Sequence, residues 1–331
     1  MSARTISMER GAYLSAYLRP LSAWLERPDV TDIMINAPGE IWIETLGRPP
    51  ERFAAPELTD TALRRLAEQI AAASHQGVNR ENPLLAATLP NGPRVQIVAP
   101  PATRGPMAIA IRKQVVSDLG VDDYEAAGAF AEVRMAHLDA PPDADAQLRA
   151  HLREGRIGAF LKAAVLARKN IVVSGGTSTG KTTFLNALLR EIPAEERLVL
   201  IEDTPELVLR HANAVGLVAV RGRLGETSVS TDDLLQASLR LRPDRIIMGE
   251  LRGAEAYSFL RAVNSGHPGS LTTVHADGPA AAVEQIALMV LQAGSNLQRS
   301  EIIEYVRGVV QVAVQLRRLN GRRIVSEVAF N

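Results

Sequence analysis

The sequence predicts a mixed α/β protein in which a smaller α+β domain precedes a larger domain built from parallel βαβ units. The length of 331 residues corresponds to about two domains at roughly 100–200 residues each. Apolar residues make up 46% of the chain and charged residues 22%, which is typical of globular proteins. A change in periodicity divides the chain into an N-terminal domain at 1–113, a linker at 114–145 and a C-terminal domain at 146–331.

The N-terminal domain opens with an amphipathic helix between Glu9 and Leu25, where apolar residues recur at steps of three and four. Composition predicts a second helix over Asp60–Ser74. Alternating or β-branched segments bounded by turn residues predict strands at Asp32–Ile35, Ile41–Glu44, Leu85–Leu89, Arg94–Val98 and Ala108–Arg112. Because Asn36-Ala-Pro-Gly39 separates the first two strands, they are expected to form a hairpin.

The linker loses periodicity and accumulates Asp, Ala and Pro, whereas from Ala146 onward strands alternate with helices of about ten residues or more. This alternation favours a parallel sheet with right-handed crossovers. The predicted strands are Ile171–Ser174, Arg197–Ile201, Val215–Val220, Arg245–Gly249 and Ser270–Val274. The predicted helices are Ile157–Ala167, Thr182–Glu191, Asp232–Arg240, Ala254–Asn264 and Pro279–Gln292. A closing hairpin is predicted from Val309–Leu316 and Arg323–Val328, around Asn320-Gly321.

Composition also excludes several kinds of protein. The 37 basic and 37 acidic residues cancel, so the overall charge does not favour nucleic acid or an anionic membrane as a bulk partner. Without cysteine the chain has no disulfide, no thiolate zinc site and no thiol nucleophile. No segment approaches the ~20 apolar residues that cross a bilayer, and the N-terminus lacks the apolar region of a secretory signal. We expect a chain that does not span a membrane, with peripheral membrane contact left open.

Residues 175–182, Gly-Gly-Thr-Ser-Thr-Gly-Lys-Thr, match the G-x-x-x-x-G-K-[ST] pattern of a phosphate-binding loop between an apolar strand and a helix. In such a loop, backbone N–H groups converge on phosphate oxygens, the lysine reaches the outer phosphates and the final hydroxyl ligates Mg²⁺. A glycine-rich turn without a ligand would not need Lys and Thr at the helix start. The predicted nucleotide-binding residues are Gly175, Gly176, Thr177, Ser178, Thr179, Gly180, Lys181, Thr182 and Thr183, with Thr182 also a metal ligand.

A second apolar strand, at 244–250, ends in a carboxylate, which is the arrangement of a Walker B strand. Ligands of open α/β sheets bind at the carboxyl ends of the strands, so Glu250 is expected to face the phosphates. Gly249 stands where an aspartate is usual. We therefore expect Glu250 to orient or activate the attacking water, and Mg²⁺ to draw ligands from elsewhere.

Three carboxylates, Glu202, Asp203 and Glu206, follow a third strand. Such crowding is costly unless a cation shares it. Mg²⁺ contacted mainly through water would supply that cation, with Asp203 and Glu206 as its expected partners. A solvated acidic loop is the alternative, and the nearby phosphate loop favours the metal.

Two histidines flank the predicted strand Ser270–Val274, with His267 before the strand and His275 after it. The two histidines are eight residues apart and no matching pair of metal ligands accompanies them, which argues against a zinc site. His275 lies at a carboxyl end, like Glu250 and Glu206, so it is a candidate to hydrogen-bond the γ-phosphate or relay its presence. A purely structural histidine is the alternative.

Several arginines suggest anion contacts. Arg94 and Arg112 lie on apolar strands, where an unpaired guanidinium would be costly, so each is expected to meet a carboxylate or the nucleotide. The pairs Arg317-Arg318 and Arg322-Arg323 flank the closing hairpin without interleaved aromatic residues. A solvated surface or a subunit contact is favoured for these pairs over nucleic-acid binding.

In order and spacing, four segments resemble the motifs of the secretion ATPase superfamily, also called type II/IV secretion NTPases. These are residues 175–182 (Walker A), 201–206 (Asp box), 241–252 (Walker B) and 266–275 (His box). The chain is most similar to the VirB11 subfamily of type IV secretion, because residues 32–44, 89–98 and 110–113 look like its N-terminal domain. The resemblance covers roughly residues 30–330.

The resemblance implies a RecA-like P-loop NTPase C-terminal domain beside the smaller α+β N-terminal domain, with ATP and Mg²⁺ bound between the two. It also implies a homohexameric ring at the cytoplasmic face of the inner membrane, with other secretion-system proteins, including ATPases, as partners. Carried onto this sequence, Lys181, Glu206, Glu250 and His275 are catalytic, Thr182, Asp203 and Glu206 hold Mg²⁺, and Arg94 and Arg112 approach the γ-phosphate.

Three alternatives stay open at this point. A type IV pilus or tight-adherence pilus motor shares the same motifs, whereas the missing cysteines disfavour type II assembly enzymes that carry a four-cysteine metal module. A nucleotide-gated assembly scaffold would bind ATP with only incidental turnover. A nucleic-acid translocase is disfavoured by the neutral charge, and no stable nucleic-acid binding is predicted.

Overall fold

The computed structural model describes residues 13–90, 92–115, 120–126, 128–131, 133, 145–220 and 227–331. Within these residues the chain forms two sheets, an antiparallel one from the N-terminal part and a mostly parallel one from the C-terminal part. The predicted fold class, a parallel α/β domain preceded by a smaller α+β domain, is confirmed. The boundaries at 113 and 146 remain predictions, since residues 134–144 of the linker lie outside the described residues.

The first sheet contains six described strands: β1 Val30–Ile35, β2 Gly39–Thr45, β3 Arg48–Ala55, β4 Leu84–Thr88, β5 Arg94–Val98 and β6 Ala108–Arg112. Their spatial order is β3-β2-β1-β6-β5-β4, with every pair antiparallel. The predicted β1–β2 hairpin is confirmed. Strand β3 was not predicted, because Pro49 and Pro50 count against a strand and are tolerated here only at the sheet edge.

Helices cover one part of this sheet. Residues 13–18 are helical, a 3₁₀ turn follows at Arg19–Leu21, and helix α1 spans Ser22–Leu25. Pro20 therefore interrupts the single helix predicted over 9–25, whose residues 9–12 lie outside the described part. Helix α2, Asp60–Ala73, follows the prediction and buries Leu63, Leu66 and Ile70 in the same core as Ile33 and Ile43.

The second sheet contains seven described strands: β7 Ile171–Gly175, β8 Leu198–Glu202, β9 Ala214–Val218, β10 Arg245–Leu251, β11 Leu271–Val274, β12 Val312–Leu319 and β13 Arg322–Phe330. Their order is β13-β12-β7-β11-β10-β8-β9. Every neighbouring pair is parallel except the antiparallel β12–β13 hairpin. Both the parallel sheet and the closing hairpin were predicted.

Eight further helices lie within the described residues: α3 Val121–Ala126, α4 Ala146–Arg153, α5 Ile157–Leu166, α6 Lys181–Leu189, α7 Thr231–Ser238, α8 Glu255–Asn264, α9 Pro279–Gln292 and α10 Arg299–Val309. Some elements differ from the predictions. The residues of α3 were assigned to an aperiodic linker, and α4 and α10 were not predicted, α10 despite the capping box of Gln298 and Glu301. Residues 203–213, where no helix was predicted, join β8 to β9 without one. No described helix is long and apolar enough to cross a membrane.

The two sheets contact each other directly. Met34 and Val98 from the first sheet share an apolar cluster with Val199 and Leu217 from β8 and β9. Polar contacts flank this cluster, and one is a pairing of the Arg242 guanidinium with both carboxylate oxygens of Glu44. These contacts fix the first sheet against the second beside strands β8 and β9.

Candidate functional site

Strands β7, β11, β10 and β8 run parallel, so their carboxyl ends meet at one edge of the second sheet. A cleft of about 420 Å³ lies at that edge. It is lined by the predicted loop residues from Gly176 to Thr183 and by Asp203, Glu206, Glu250 and His275. The topology therefore brings together residues that are up to 99 positions apart in the sequence. This agrees with the prediction that motifs at the carboxyl ends of parallel strands meet at one edge of the sheet.

The loop between β7 and α6 depends on unusual backbone conformations. Gly180 has a φ of 90° and Ser178 a φ of 61°, both in the left-handed region. The Thr179 hydroxyl donates a hydrogen bond to the Gly176 carbonyl at 2.8 Å and closes the loop on itself. A Cβ on Gly175 would lie 2.6 Å from Thr179 Oγ1, so only glycine fits where the loop leaves the sheet.

Lys181 is the first residue of α6, and its ammonium group lies beside hydrogen-bond acceptors of the phosphate loop and of Glu250. Nζ donates to the Gly175 carbonyl at 2.9 Å and lies 3.5 Å from Glu250 Oε1. Burial lowers the pKa of Lys181 from its ordinary value, and the charge of Glu250 acts in the opposite direction. The carboxylate therefore favours the charged form of the lysine, the form that binds phosphate.

Glu250 is the centre of a connected set of side chains. Its Oε1 lies 3.0 Å from His275 Nε2, which in turn lies 3.2 Å from Lys181 Nζ. A ring nitrogen carries either one proton or one lone pair, so His275 Nε2 can donate to Glu250 or accept from Lys181 but cannot do both. Three of the four residues predicted to be catalytic are thus in direct contact, and a proton shift on the imidazole changes which neighbour it bonds.

Arg252 also belongs to this set, although no sequence motif predicts a role for it. Its Nε donates to Glu250 Oε2, and its Nη1 lies 3.5 Å from Asp203 Oδ2. The hydrogen bond to Glu250 raises the pKa of Arg252 above its ordinary value. Arg252 thus links the acidic loop after β8 to the carboxylate at the end of β10, a contact that no short sequence pattern reports.

The three carboxylates after β8 have separate partners. Glu202 is buried, and its Oε1 accepts the backbone N–H groups of Glu206 and Leu207, each at 2.9 Å. An ion pair with Arg104, from the first sheet's β5–β6 connection, neutralises Glu202. The cation beside Glu202 is thus a guanidinium, while Asp203 and Glu206, the two carboxylates expected to meet Mg²⁺, line the cleft.

The donor set in the cleft fits Mg²⁺ bound together with phosphate. No three His, Asp or Glu side chains converge as a metal site within the described residues. The Thr182 hydroxyl and the carboxylates of Asp203 and Glu206 line the cleft, which suits an ion that keeps waters and takes phosphate oxygens as ligands. A Cβ on Gly249 would lie 3.0 Å from Glu202 Cγ, so the packing leaves little room for an aspartate there.

Arg94 and Arg112 do not line the cleft. They are cross-strand neighbours on β5 and β6, and Arg112 Nε lies 2.8 Å from Asp32 Oδ1. The expected anion for Arg112 is thus a carboxylate of β1. An approach of either arginine to the γ-phosphate stays a prediction.

Arg323 is exposed and lines the cleft, a position that the prediction of a solvated surface or a subunit contact did not include. Its Cδ lies 3.0 Å from the position that a Cβ on Gly180 would occupy, so the side chain crosses the end of the phosphate loop. Strand β13 belongs to the hairpin beside β7, on the side opposite β11 and β10. Sequence reasoning missed Arg323 because strand order, and not residue spacing, places it here.

A phosphate loop on a parallel sheet, with a lysine and an acidic strand end in one cleft, defines the class of P-loop NTPases. Within that class the chain belongs to the family described as type II/IV secretion system protein, whose model matches residues 17–328. Type IV secretion system protein VirB11 of Bartonella henselae is 35% identical over 99% of this chain and 95% of its own length. The Brucella suis VirB11 is 38% identical over 98% of this chain and 92% of its own.

A solved structure agrees with the relatives. The crystal structure of the VirB11 ATPase from the Brucella suis type IV secretion system, in complex with sulphate, superposes with a TM-score of 0.91. The two chains are 37% identical, and the match covers 98% of this chain and 96% of that one. The predicted family is confirmed: the chain is a VirB11-like type IV secretion ATPase that hydrolyses ATP.

Proposed function

We propose that this ATPase assembles into a homohexameric ring and uses Mg²⁺-dependent ATP hydrolysis to power substrate transfer or pilus assembly in a bacterial type IV secretion system. The observation that carries the proposal is the contact among Lys181, Glu250 and His275 beside the phosphate loop, in a chain similar to VirB11. We also propose that it acts at the cytoplasmic face of the inner membrane, with other secretion-system proteins, including ATPases, as partners.

In the proposed reaction, the loop N–H groups and Lys181 hold the β- and γ-phosphates, and water attacks the γ-phosphorus in line with the leaving oxygen. Glu250 accepts the proton of that water, while its contacts with His275 and Arg252 fix the carboxylate. The Thr182 hydroxyl would hold Mg²⁺, with Asp203 and Glu206 contacting it through water. When bound, the ion neutralises charge on the phosphates.

The energy of ATP hydrolysis is used to move the domains and not to convert a metabolite. Under the proposed boundaries, residues 1–113 and 146–331 are two bodies joined by a linker at 114–145. Nucleotide binding closes the bodies on each other, and hydrolysis releases them. A ring of such subunits converts closure into work on a substrate.

Substitutions at Lys181 and Glu250 test the site. We expect Lys181→Ala to lose nucleotide binding, because no other cation in the loop reaches the outer phosphates. Glu250→Gln should keep binding and lose turnover by on the order of 10²-fold or more, since the amide cannot accept the proton. Glu284→Gln, whose half-buried carboxylate pairs with Arg299 away from the cleft, is the matched control and should retain full activity. Undiminished hydrolysis by Glu250→Gln would exclude its assigned role.

The same proteins test the ring. Steady-state Mg²⁺-ATP hydrolysis is measured against protein concentration, with particle mass followed in parallel. Turnover that rises as a hexamer assembles supports the motor. A wild-type chain that hydrolyses ATP equally well as a monomer contradicts it. Secretion supported by the Glu250→Gln chain would instead favour the nucleotide-gated scaffold.

A further inference from the structure

Arg104 connects the first sheet to the loop that carries the acidic cleft residues. It lies in the connection between β5 and β6, and its side chain is only 14% exposed. The guanidinium forms an ion pair with Glu202, and Nη1 donates to the Leu207 carbonyl at 2.5 Å. The Arg104 backbone N–H donates to the Gly216 carbonyl at 2.9 Å. One arginine thus fixes the end of β8, the loop behind it and β9.

Glu202 connects the Arg104 ion pair to the loop that lines the cleft. While one carboxylate oxygen faces Arg104, Oε1 accepts the backbone N–H groups of Glu206 and Leu207. Those two bonds fold residues 203–207 into the turn that presents Asp203 and Glu206 to the cleft. The buried carboxylate of Glu202 therefore helps to set the position of the acidic loop.

Two glycines make room for the pair. A Cβ on Gly216 would lie 2.6 Å from Arg104 Cδ, and one on Gly249 would lie 3.0 Å from Glu202 Cγ. Gly249 directly precedes Glu250, so Glu202 packs against the strand that carries the water-activating carboxylate. Burial lowers the pKa of Arg104, and a buried guanidinium without its carboxylate would be strongly destabilising.

We propose that Arg104 is a positioning residue for ATP hydrolysis: by holding Glu202, it sets where Asp203 and Glu206 meet the metal–nucleotide complex. The cleft thereby responds to the position of the first sheet, since Arg104 belongs to that sheet's connection. The proposal rests on the proposed function of the cleft and extends it to a residue outside the cleft.

A second ion pair between the sheets provides a matched control. Arg242 pairs with Glu44 across the same interface and is similarly part-buried, with 19% of its side chain exposed. It precedes the amino end of β10, away from the carboxyl ends that form the cleft. Loss of the Arg242 pair should therefore reduce stability without changing the chemistry.

The test compares Arg104→Met, Arg104→Lys and Arg242→Met in the full chain. For each we measure the thermal midpoint, kcat, and the affinity for a non-hydrolysable ATP analogue with and without Mg²⁺. Arg104→Met should lower kcat about tenfold and reduce the gain in affinity that Mg²⁺ provides, while affinity without Mg²⁺ stays unchanged. Arg104→Lys should recover part of both effects. Arg242→Met should lower only the thermal midpoint.

Equal behaviour of Arg104→Met and Arg242→Met would overturn the proposal, because Arg104 would then be only structural. Should Arg104→Met fail to fold, Glu202→Gln decides: it keeps an acceptor for both N–H groups and should still lose kcat and the Mg²⁺-dependent gain. A Glu202→Gln chain with wild-type values also overturns the proposal. Failure of the proposed function is distinct, since it would show as undiminished hydrolysis by Glu250→Gln.

Discussion

At the residue scale, partners decide what chemically identical side chains do. Glu202 and Glu250 both lie at carboxyl ends of neighbouring strands. Glu202 is buried, forms an ion pair with Arg104 and accepts hydrogen bonds from two backbone N–H groups. Both of its carboxylate oxygens therefore have partners within the fold. Glu250 contacts Lys181 and His275, groups that can exchange or redistribute a proton. The second glutamate is therefore the one available to act on water.

Arg323 should contribute to nucleotide affinity. In the proposed reaction the γ-phosphate faces Glu250 on the β10 side, and the nucleoside would then extend toward β13, where Arg323 crosses the loop. An arginine there can stack on the base or pair with a phosphate, each worth about 1 kcal/mol. We expect Arg323→Ala to weaken ATP and ADP binding by roughly three- to tenfold with little change in kcat, as measured by titration with fluorescent nucleotides.

The adjacent Arg322→Ala provides the control for that titration, because alternate residues of a strand point to opposite faces and Arg322 does not line the cleft. Equal affinities for the two variants would remove Arg323 from the nucleotide site. A large loss of kcat at saturating ATP would assign it to chemistry instead.

At the element scale, the ends of the helices and strands build the site. Helix α6 begins at Lys181, so its free N–H groups and the lysine point into the same space. Helix α7 begins at Thr231, which also lines the cleft and whose hydroxyl donates to Asp203 Oδ1 at 3.2 Å. The start of α7 therefore supports the acidic loop in addition to Arg104.

The capping box of α7 should have a measurable effect on stability. The Ser230 hydroxyl accepts the Asp233 N–H at 3.1 Å, and the Asp233 carboxylate accepts the Ser230 N–H at 2.9 Å. Ser230→Ala removes one side of this reciprocal pair and should lower the free energy of unfolding by about 1 kcal/mol in urea titrations. Ser230→Thr retains the hydroxyl and should lie close to wild type. An alanine variant as stable as the threonine variant would contradict the assignment.

At the scale of the whole molecule, a shared apolar cluster and buried polar contacts join the two sheets. Arg197 is fully buried, donates to Asn36 Oδ1 at 2.9 Å and also bonds Asn213. Near this contact, His267 bonds the Pro243 carbonyl through Nδ1 at 3.1 Å. Because His267 lies near charged side chains at this interface, we expect the free energy of unfolding to depend on pH.

His267 should make stability fall in mild acid. Burial lowers the pKa of His267 below the ordinary 6.5, and Arg112 and Arg242 act in the same direction. Below pH 6.5 the unfolded chain binds a proton that the folded chain excludes, so the free energy of unfolding falls as pH decreases toward the folded pKa. Above 6.5 the effect is absent, because both states are neutral.

Urea unfolding between pH 5 and pH 8 checks this expectation. His267→Asn should show a shallower decline in acid than wild type. The control is His75→Asn, since His75 is exposed and asparagine tolerates its φ of 55°. Identical slopes for His267→Asn and wild type would show that another group governs the acid response.

The sequence by itself determined the fold class, most strands of both sheets, the phosphate loop from Gly175 to Thr183, and the family. Those features are local: periodicities of two and 3.6 residues, and a loop whose chemistry needs fixed residue types at fixed spacing. It also placed Glu250, Glu206 and His275 in one cleft, because parallel strands bring their carboxyl ends to a common edge.

Only the tertiary structure decided which charges meet. Arg104 and Glu202 are 98 residues apart, and Arg323 is 143 residues from Gly180, so no spacing or periodicity links either pair. Strand order placed Arg323 in the cleft and left Arg94 and Arg112 outside it. Strand order and docking of the two sheets depend on the summed burial of many side chains, and so the partners of individual charges follow from the folded chain.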